Sequence, residues 1–124
     1  NVIGEMGMIL MLQPTLGRTA AEQAAAGWHG DRILLAENVQ GTGRMLKWLT
    51  KWDSPTDANE FHDSMTVVFK ALFPKGRWAE GKGQSILEFN GPRETIRLEN
   101  KDETTIEIEG LFNMMEINRN ESTE

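Results

Sequence analysis

The chain has 124 residues, 39% of them apolar and 26% charged, with 19 acidic against 13 basic side chains and a formal net charge of −6. That length holds one ordinary domain rather than two, and the acidic balance excludes the basic footprint that a nucleic-acid partner needs. The absence of cysteine excludes disulfides, thiolate metal sites and cysteine nucleophiles, and no apolar run approaches the roughly 20 residues of a membrane span, so no membrane insertion is expected. The first residue is Asn rather than Met. The chain therefore reads as a fragment of a longer protein, with one α+β domain over residues 1–117 and a polar tail over 118–124.

Residues 3–12 read as a helix in which Met6, Ile9 and Leu10 share a face that Met8, Met11 and Leu12 widen. Pro14 and Gly17 end it. Thr19-Ala-Ala-Glu22 has the form of a capping box, opening an alanine-rich helix that runs to Ala26. The period then changes. "DRILLAEN" and "GRMLKWLTKW" flank the glycine-bearing loop "VQGTG", which is a hairpin signal. In the second run Leu46, Trp48, Thr50 and Trp52 alternate with Met45, Lys47, Leu49 and Lys51, so the tryptophans should face the core and the lysines water.

"DSPTDANEF" is a strong helix start, with Ser54 as N-cap, Pro55 at the first helical position and Asp57 at the third. Ala58, Phe61, Met65, Val68 and Leu72 recur at intervals of three and four, and the helix should stop before Pro74. "RWAEGKGQ" reads as a polar loop. "SILEF", "TIRLE" and "TTIEIEG" alternate cleanly around the turns "NGP" and "NKDE", as antiparallel strands with one wet face do. "LFNMMEI" reads as a short final helix or strand. The order ααββαβββ predicts a two-layer α+β sandwich, an antiparallel sheet of about five strands with the helices on one face.

Little in this pattern carries chemistry. The two histidines, His29 and His62, share no short ligand spacing, and nothing resembles a three-ligand zinc site. Ser54 is occupied as a helix cap, and Ser64 and Ser85 lack a nucleophile elbow. The glycine–lysine stretches "GTGRMLK" and "EGKGQ" precede no helix, so no helix N-terminus is aimed at a phosphate. Glu107 and Glu109, with Arg97 and Glu99, read as a solvated sheet surface with cross-strand pairing. No catalytic residue, metal or cofactor is expected.

The densest cluster of polar and aromatic groups is "AAAGWHGDR", residues 24–32, together with "WDSPTDA", residues 52–58. Gly27 suits the position after a helix C-terminus, where positive φ costs glycine little. Trp28 then folds back on the last turn, and Gly30 relaxes the backbone as the strand begins. Asp31 and Arg32 point to opposite faces of a strand. Asp31 is placed to receive backbone amides, and Arg32 to pair with Asp53 or Glu37. The two ends of a hairpin lie side by side, so Asp31, Arg32, Trp52 and Asp53 are expected as neighbours. If the expected Arg32–Asp53 ion pair is partly buried, breaking it should cost about 3–5 kcal/mol. The candidate binding residues are Trp28, Asp31, Arg32, Trp52 and Asp53.

"GEMGMILML", "AAAGWHGDRILL" and "WLTKWDSPTDANEF", in that order, resemble the C-terminal region of a group of bacterial and haloarchaeal surface proteins. The resemblance covers residues 4–61, with an echo in "TTIEIEG". Their upstream part looks like a zinc peptidase with a His-Glu-x-x-His-type helix, a motif this chain does not contain. The resemblance carries over Gly27, Trp28, Gly30, Asp31 and Arg32 from the first motif, and Trp52, Asp53, Asp57, Ala58 and Phe61 from the second. It implies an extracytoplasmic or cell-surface setting and a partner in the upstream region of the same protein, or a separate protein.

Two functions follow as expectations. The first is a non-catalytic accessory domain of a larger envelope protein, docking through the methionine-rich first helix. The second is a small-molecule or peptide ligand-binding module that uses the Trp28/Arg32 corner.

Overall fold

The computed structural model describes residues 2–38, 40–74, 77–80 and 86–113. Its elements are α1 (Gly4–Leu16), α2 (Arg18–Ala25), β1 (Trp28–Glu37), β2 (Gly43–Trp52), α3 (Pro55–Leu72), β3 (Arg77–Glu80), β4 (Ile86–Asn90), β5 (Glu94–Asp102) and β6 (Thr105–Asn113). The strands form one antiparallel sheet in the order β1-β2-β6-β5-β4-β3. The α+β class and the expected succession of elements hold. A short sixth strand, β3, adds to them where "RWAEGKGQ" reads as loop; residues 81–84 of that stretch lie outside the described residues. So do residues 114–117 of "LFNMMEI" and the 118–124 tail, whereas Leu111 to Asn113 continue β6.

The topology follows from two local units and one long connection. The β1–β2 hairpin closes through Asn38, whose side chain accepts from the amides of Thr42 (2.8 Å) and Gly43 (3.2 Å). β3 to β6 form a meander whose last strand returns to pair with β2 from Gly43↔Asn113 to Lys51↔Thr105. α3 connects β2 to the far edge and packs on β2, β6 and β5 on the way. α1 packs on α2, α3 and β1. All three helices lie on one face, so the other face meets solvent.

The alternation in β2 holds. Trp48, Thr50 and Trp52 are buried, and Lys47, Leu49 and Lys51 are exposed. Ile96, Leu98, Ile106 and Ile108 are buried as their strands require. Phe61 of α3 stacks on Trp52, with ring centroids 4.5 Å apart, and meets Trp48 edge-on at 6.0 Å. Thr50 is the buried polar member of this layer. Its hydroxyl accepts from the Trp52 indole (2.9 Å) and donates to the Ile106 carbonyl (2.9 Å), so no donor there is left bare.

Helix ends show where local signals rule and where they do not. α3 begins as expected. The Asp57 amide donates to Ser54 Oγ (3.1 Å), that hydroxyl donates to the Asp57 carboxylate (2.8 Å), and Pro55 opens the first turn. The helix ends at Leu72, which is exposed rather than part of the core stripe. The Thr19–Glu22 capping box does not form. α2 starts two residues earlier, with Gly17 rather than Thr19 as N-cap, and Glu22 pairs with Arg18 across one turn (3.5 Å). Pro14 does not end α1 either. It sits in the last turn, and the helix stops at Gly17 (φ +84°), whose amide donates to the Gln13 carbonyl (2.8 Å). The expected face of α1 is also corrected: Met8, Ile9 and Leu12 are buried, while Met6 and Leu10 are exposed.

Candidate functional site at the base of the first hairpin

Gly27 is required for closeness, not for conformation. Its φ is not positive. A Cβ at this position would fall on the Asp57 side chain, so the start of α3 rests directly against the backbone of the turn. The Gly27 carbonyl also accepts the Asp53 amide (2.8 Å), tying the two sides of the hairpin base together.

From there β1 carries a bulge. Trp28 pairs with Trp52, but Gly30 already pairs with Lys51. His29 is the extra residue, and its Nδ1 meets Asp53 Oδ1 at 3.1 Å, both side chains being exposed. The bulge shifts everything after it. Asp31 faces Thr50 and Arg32 faces Leu49, so Arg32 stands on the open face several residues from Asp53 along β2. The expected Arg32–Asp53 ion pair is absent. Arg32 is exposed and has no ion-pair partner among the described residues, and Glu37 pairs instead with Arg44 (3.5 Å). Trp52 is buried on Phe61 and is not part of an open corner.

Asp31 is the centre of the cluster. Its Oδ1 accepts from the Gly4 amide (2.9 Å) and the Trp28 indole (3.0 Å); its Oδ2 accepts from the Ile3 amide (2.7 Å) and the Trp48 indole (2.9 Å). Ile3 is right-handed (φ −80°, ψ −42°) and Gly4 has φ +78°. That succession turns consecutive amides towards one point, the concave arrangement that binds anions. α1 has no side-chain cap of its own. Asp31 supplies one from β1, across 27 and 28 residues. Partial burial works against ionisation, but the two amides and then the Trp48 and Trp28 indoles outweigh it and hold the Asp31 carboxyl below its ordinary value.

The expectation that Asp31 receives backbone amides therefore holds, and its indole donors were not foreseen. One signal pointed to them. Asp31 has the same parity as Ile33, hence the helix-covered side of the strand, and a carboxylate there needs donors.

Chemically, the corner is an anion site filled by the protein's own carboxylate. Two clefts among the described residues lie elsewhere. A groove of about 730 Å³ at the end of the sheet is lined by Glu37, Arg44, Met45, Arg93 and Phe112 among others. A cleft of about 650 Å³ between α2 and α3 is lined by Asp57, Glu60 and Asp63 among others. Neither reaches Trp28 or Arg32. Among the described residues, no group of three or more His, Asp or Glu is placed to hold a metal ion, and no helix is long and apolar enough to cross a membrane. On the open face Arg97 lies 3.4 Å from Glu99 and 3.9 Å from Glu88, and Lys47 lies 4.0 Å from Glu107, ion pairs that contribute little each.

Residues 1–114 match a family described as Domain of unknown function (DUF8575). No curated protein and no solved structure matches the chain.

Proposed function

The chain belongs to the DUF8575 family, and from that premise we propose that it is a non-catalytic interaction domain, an accessory module of a larger cell-envelope protein that docks through the outward side of α1. One observation carries this. α1 is largely apolar around its circumference, yet the core buries Met8, Ile9 and Leu12 and partly covers Met11 and Leu16, leaving Met6 and Leu10 each 62% exposed beside exposed Ile3 and Val2. A helix apolar on all sides is one covered on all sides, and contiguous exposed apolar surface marks an interaction site. The envelope setting rests on the resemblance of residues 4–61 to surface proteins. The partner is the upstream region of the same polypeptide, or a protein with a matching apolar surface.

The chain has no cysteine, so single thiols report on coverage. Met6→Cys and Leu10→Cys should react with a maleimide rapidly in the 124-residue chain and much more slowly in the complete gene product. Val67→Cys, at an exposed site on α3, should react alike in both. If Met6→Cys and Leu10→Cys react as fast in the complete gene product as in the 124-residue chain, docking against the upstream region is removed; if they also stay unprotected in cell lysate, docking on a separate protein is removed with it.

A ligand-binding module is the second reading, and the groove between Arg44 and Arg93 favours it more than the Trp28/Arg32 corner does, because Asp31 already holds four donors. Screening small carboxylates by NMR should shift Met45 and Phe112 if it is right. Shifts absent from both would leave it without support.

A further inference from the structure

β1 is an edge strand, and its backbone shows which groups face outward. Asn38 donates to the Gly43 carbonyl across the hairpin (3.0 Å). By the alternation of an antiparallel ladder, the amides and carbonyls of Arg32, Leu34 and Ala36 also face β2. Those of Asp31, Ile33, Leu35 and Glu37 face away from it, and none of them has a backbone partner among the described residues.

Edges are ordinarily blunted by brevity, proline, lysine or a bulge. The opposite edge, β3, has only four residues. From Asp31 to Glu37, β1 has neither proline nor lysine, and its bulge lies before this stretch. The strand is apolar on both faces: Leu34 is 55% exposed on the open face and Leu35 68% on the helix side.

We propose that β1 pairs antiparallel with β1 of a second copy, about a twofold axis at Leu34, joining two six-stranded sheets into one. The occupant is a second copy because the segment is its own complement. A twofold perpendicular to the sheet keeps faces matched, so odd positions oppose odd and even oppose even. Centred on Leu34, it sets Leu34 against the partner's Leu34 and Ile33 against the partner's Leu35. Centred on Ile33, it would set Leu34 against the partner's Arg32. Centred on Leu35, it would set Ile33 against the partner's Glu37. The Leu34 register opposes Asp31 to the partner's Glu37, but each already has its own counterpart, four donors for Asp31 and Arg44 for Glu37. The pairing uses the strand edge and not the outward stripe of α1, so it stands or falls separately from the docking reading.

The test is sedimentation together with register-specific cross-linking. The chain should sediment at twice its 14.0 kDa mass at micromolar concentration. Leu35→Pro removes an outward amide and leaves the β1–β2 ladder its donors; it should return the chain to monomer mass with unchanged far-ultraviolet dichroism. In the proposed register Leu34 and its twin form a non-hydrogen-bonded pair with Cα atoms about 4.5 Å apart, within disulfide range. Leu34→Cys should therefore cross-link to a dimer at least about tenfold faster than Ile33→Cys under the same oxidant. A wild-type monomer at tens of micromolar would overturn the proposal, as would a dimer that survives in folded Leu35→Pro. If Leu35→Pro fails to fold, the wild-type mass and the cross-linking ratio decide, and equal rates at the two positions overturn it.

Discussion

The carboxylate of Asp31 meets four donors from three parts of the chain, whereas Arg32, one residue on, meets no counter-charge among the described residues. Adjacent members of one sequence motif thus differ sharply in energetic weight. Asp31→Ala leaves the buried Trp48 indole and the first amides of α1 without an acceptor and should cost about 2–4 kcal/mol in urea denaturation. Arg32→Ala should stay within about 0.5 kcal/mol; a larger loss would mean that Arg32 has a structural partner. Because the folded-state pKa of Asp31 is depressed, the stability it contributes is present above the unfolded-state carboxylate value, near pH 4, and is lost as pH falls through the lower folded value. Wild-type stability should fall over that acidic interval, and Asp31→Asn should flatten the fall. The strand parity of Asp31 was legible in the sequence. The identity of its donors was not, because Ile3, Gly4 and Trp48 reach it only after α1 and β2 have packed.

Among the elements, those with a periodic face and local end signals were readable in advance. α3 has both, in its Ser54 cap and in the stripe of Ala58, Phe61, Met65 and Val68. β2 has a clean alternation. α1 has apolar residues on every side, so periodicity selects no face, and the choice of Met8 and Leu12 over Met6 and Leu10 is made by neighbours. β3 is four residues long and gains its identity from pairing with β4, a contact that no local pattern encodes. The hairpin register likewise sets Arg32 opposite Leu49, four positions before Asp53, and no local pattern encodes that offset. Gly27 belongs at this scale too, since its role is the fit of one element on another. Gly27→Ala should cost about 1–3 kcal/mol by overpacking the Asp57 side chain. In an Asp57→Ala background the same substitution should cost about 1 kcal/mol less. Additive costs in that double-mutant cycle would return Gly27 to an ordinary turn role.

For the molecule as a whole, the β2–β6 ladder joins the hairpin to the meander, and α3 crosses above it. Residues of β2 lie more than 50 positions before their β6 partners, so this joint forms only when the whole chain is organised. Every interior amide of β2 and β6 has a neighbouring strand on both sides, β1 and β6 for the first and β2 and β5 for the second. The amides of Trp48, Thr50, Ile106 and Ile108 should therefore exchange hydrogen only through global unfolding, with one shared opening free energy. Amides of Arg77 to Glu80, on a short edge, should exchange through local opening far sooner. Native-state exchange in rising urea measures this directly. If the hairpin amides merged into a lower-energy opening of their own, apart from β6, the fold would be two cooperative units in contact. A single merging isotherm for β2 and β6 would show that α3 and the ladder bind them into one, a rigid frame on which the exposed stripe of α1 and the edge of β1 are held in fixed relation.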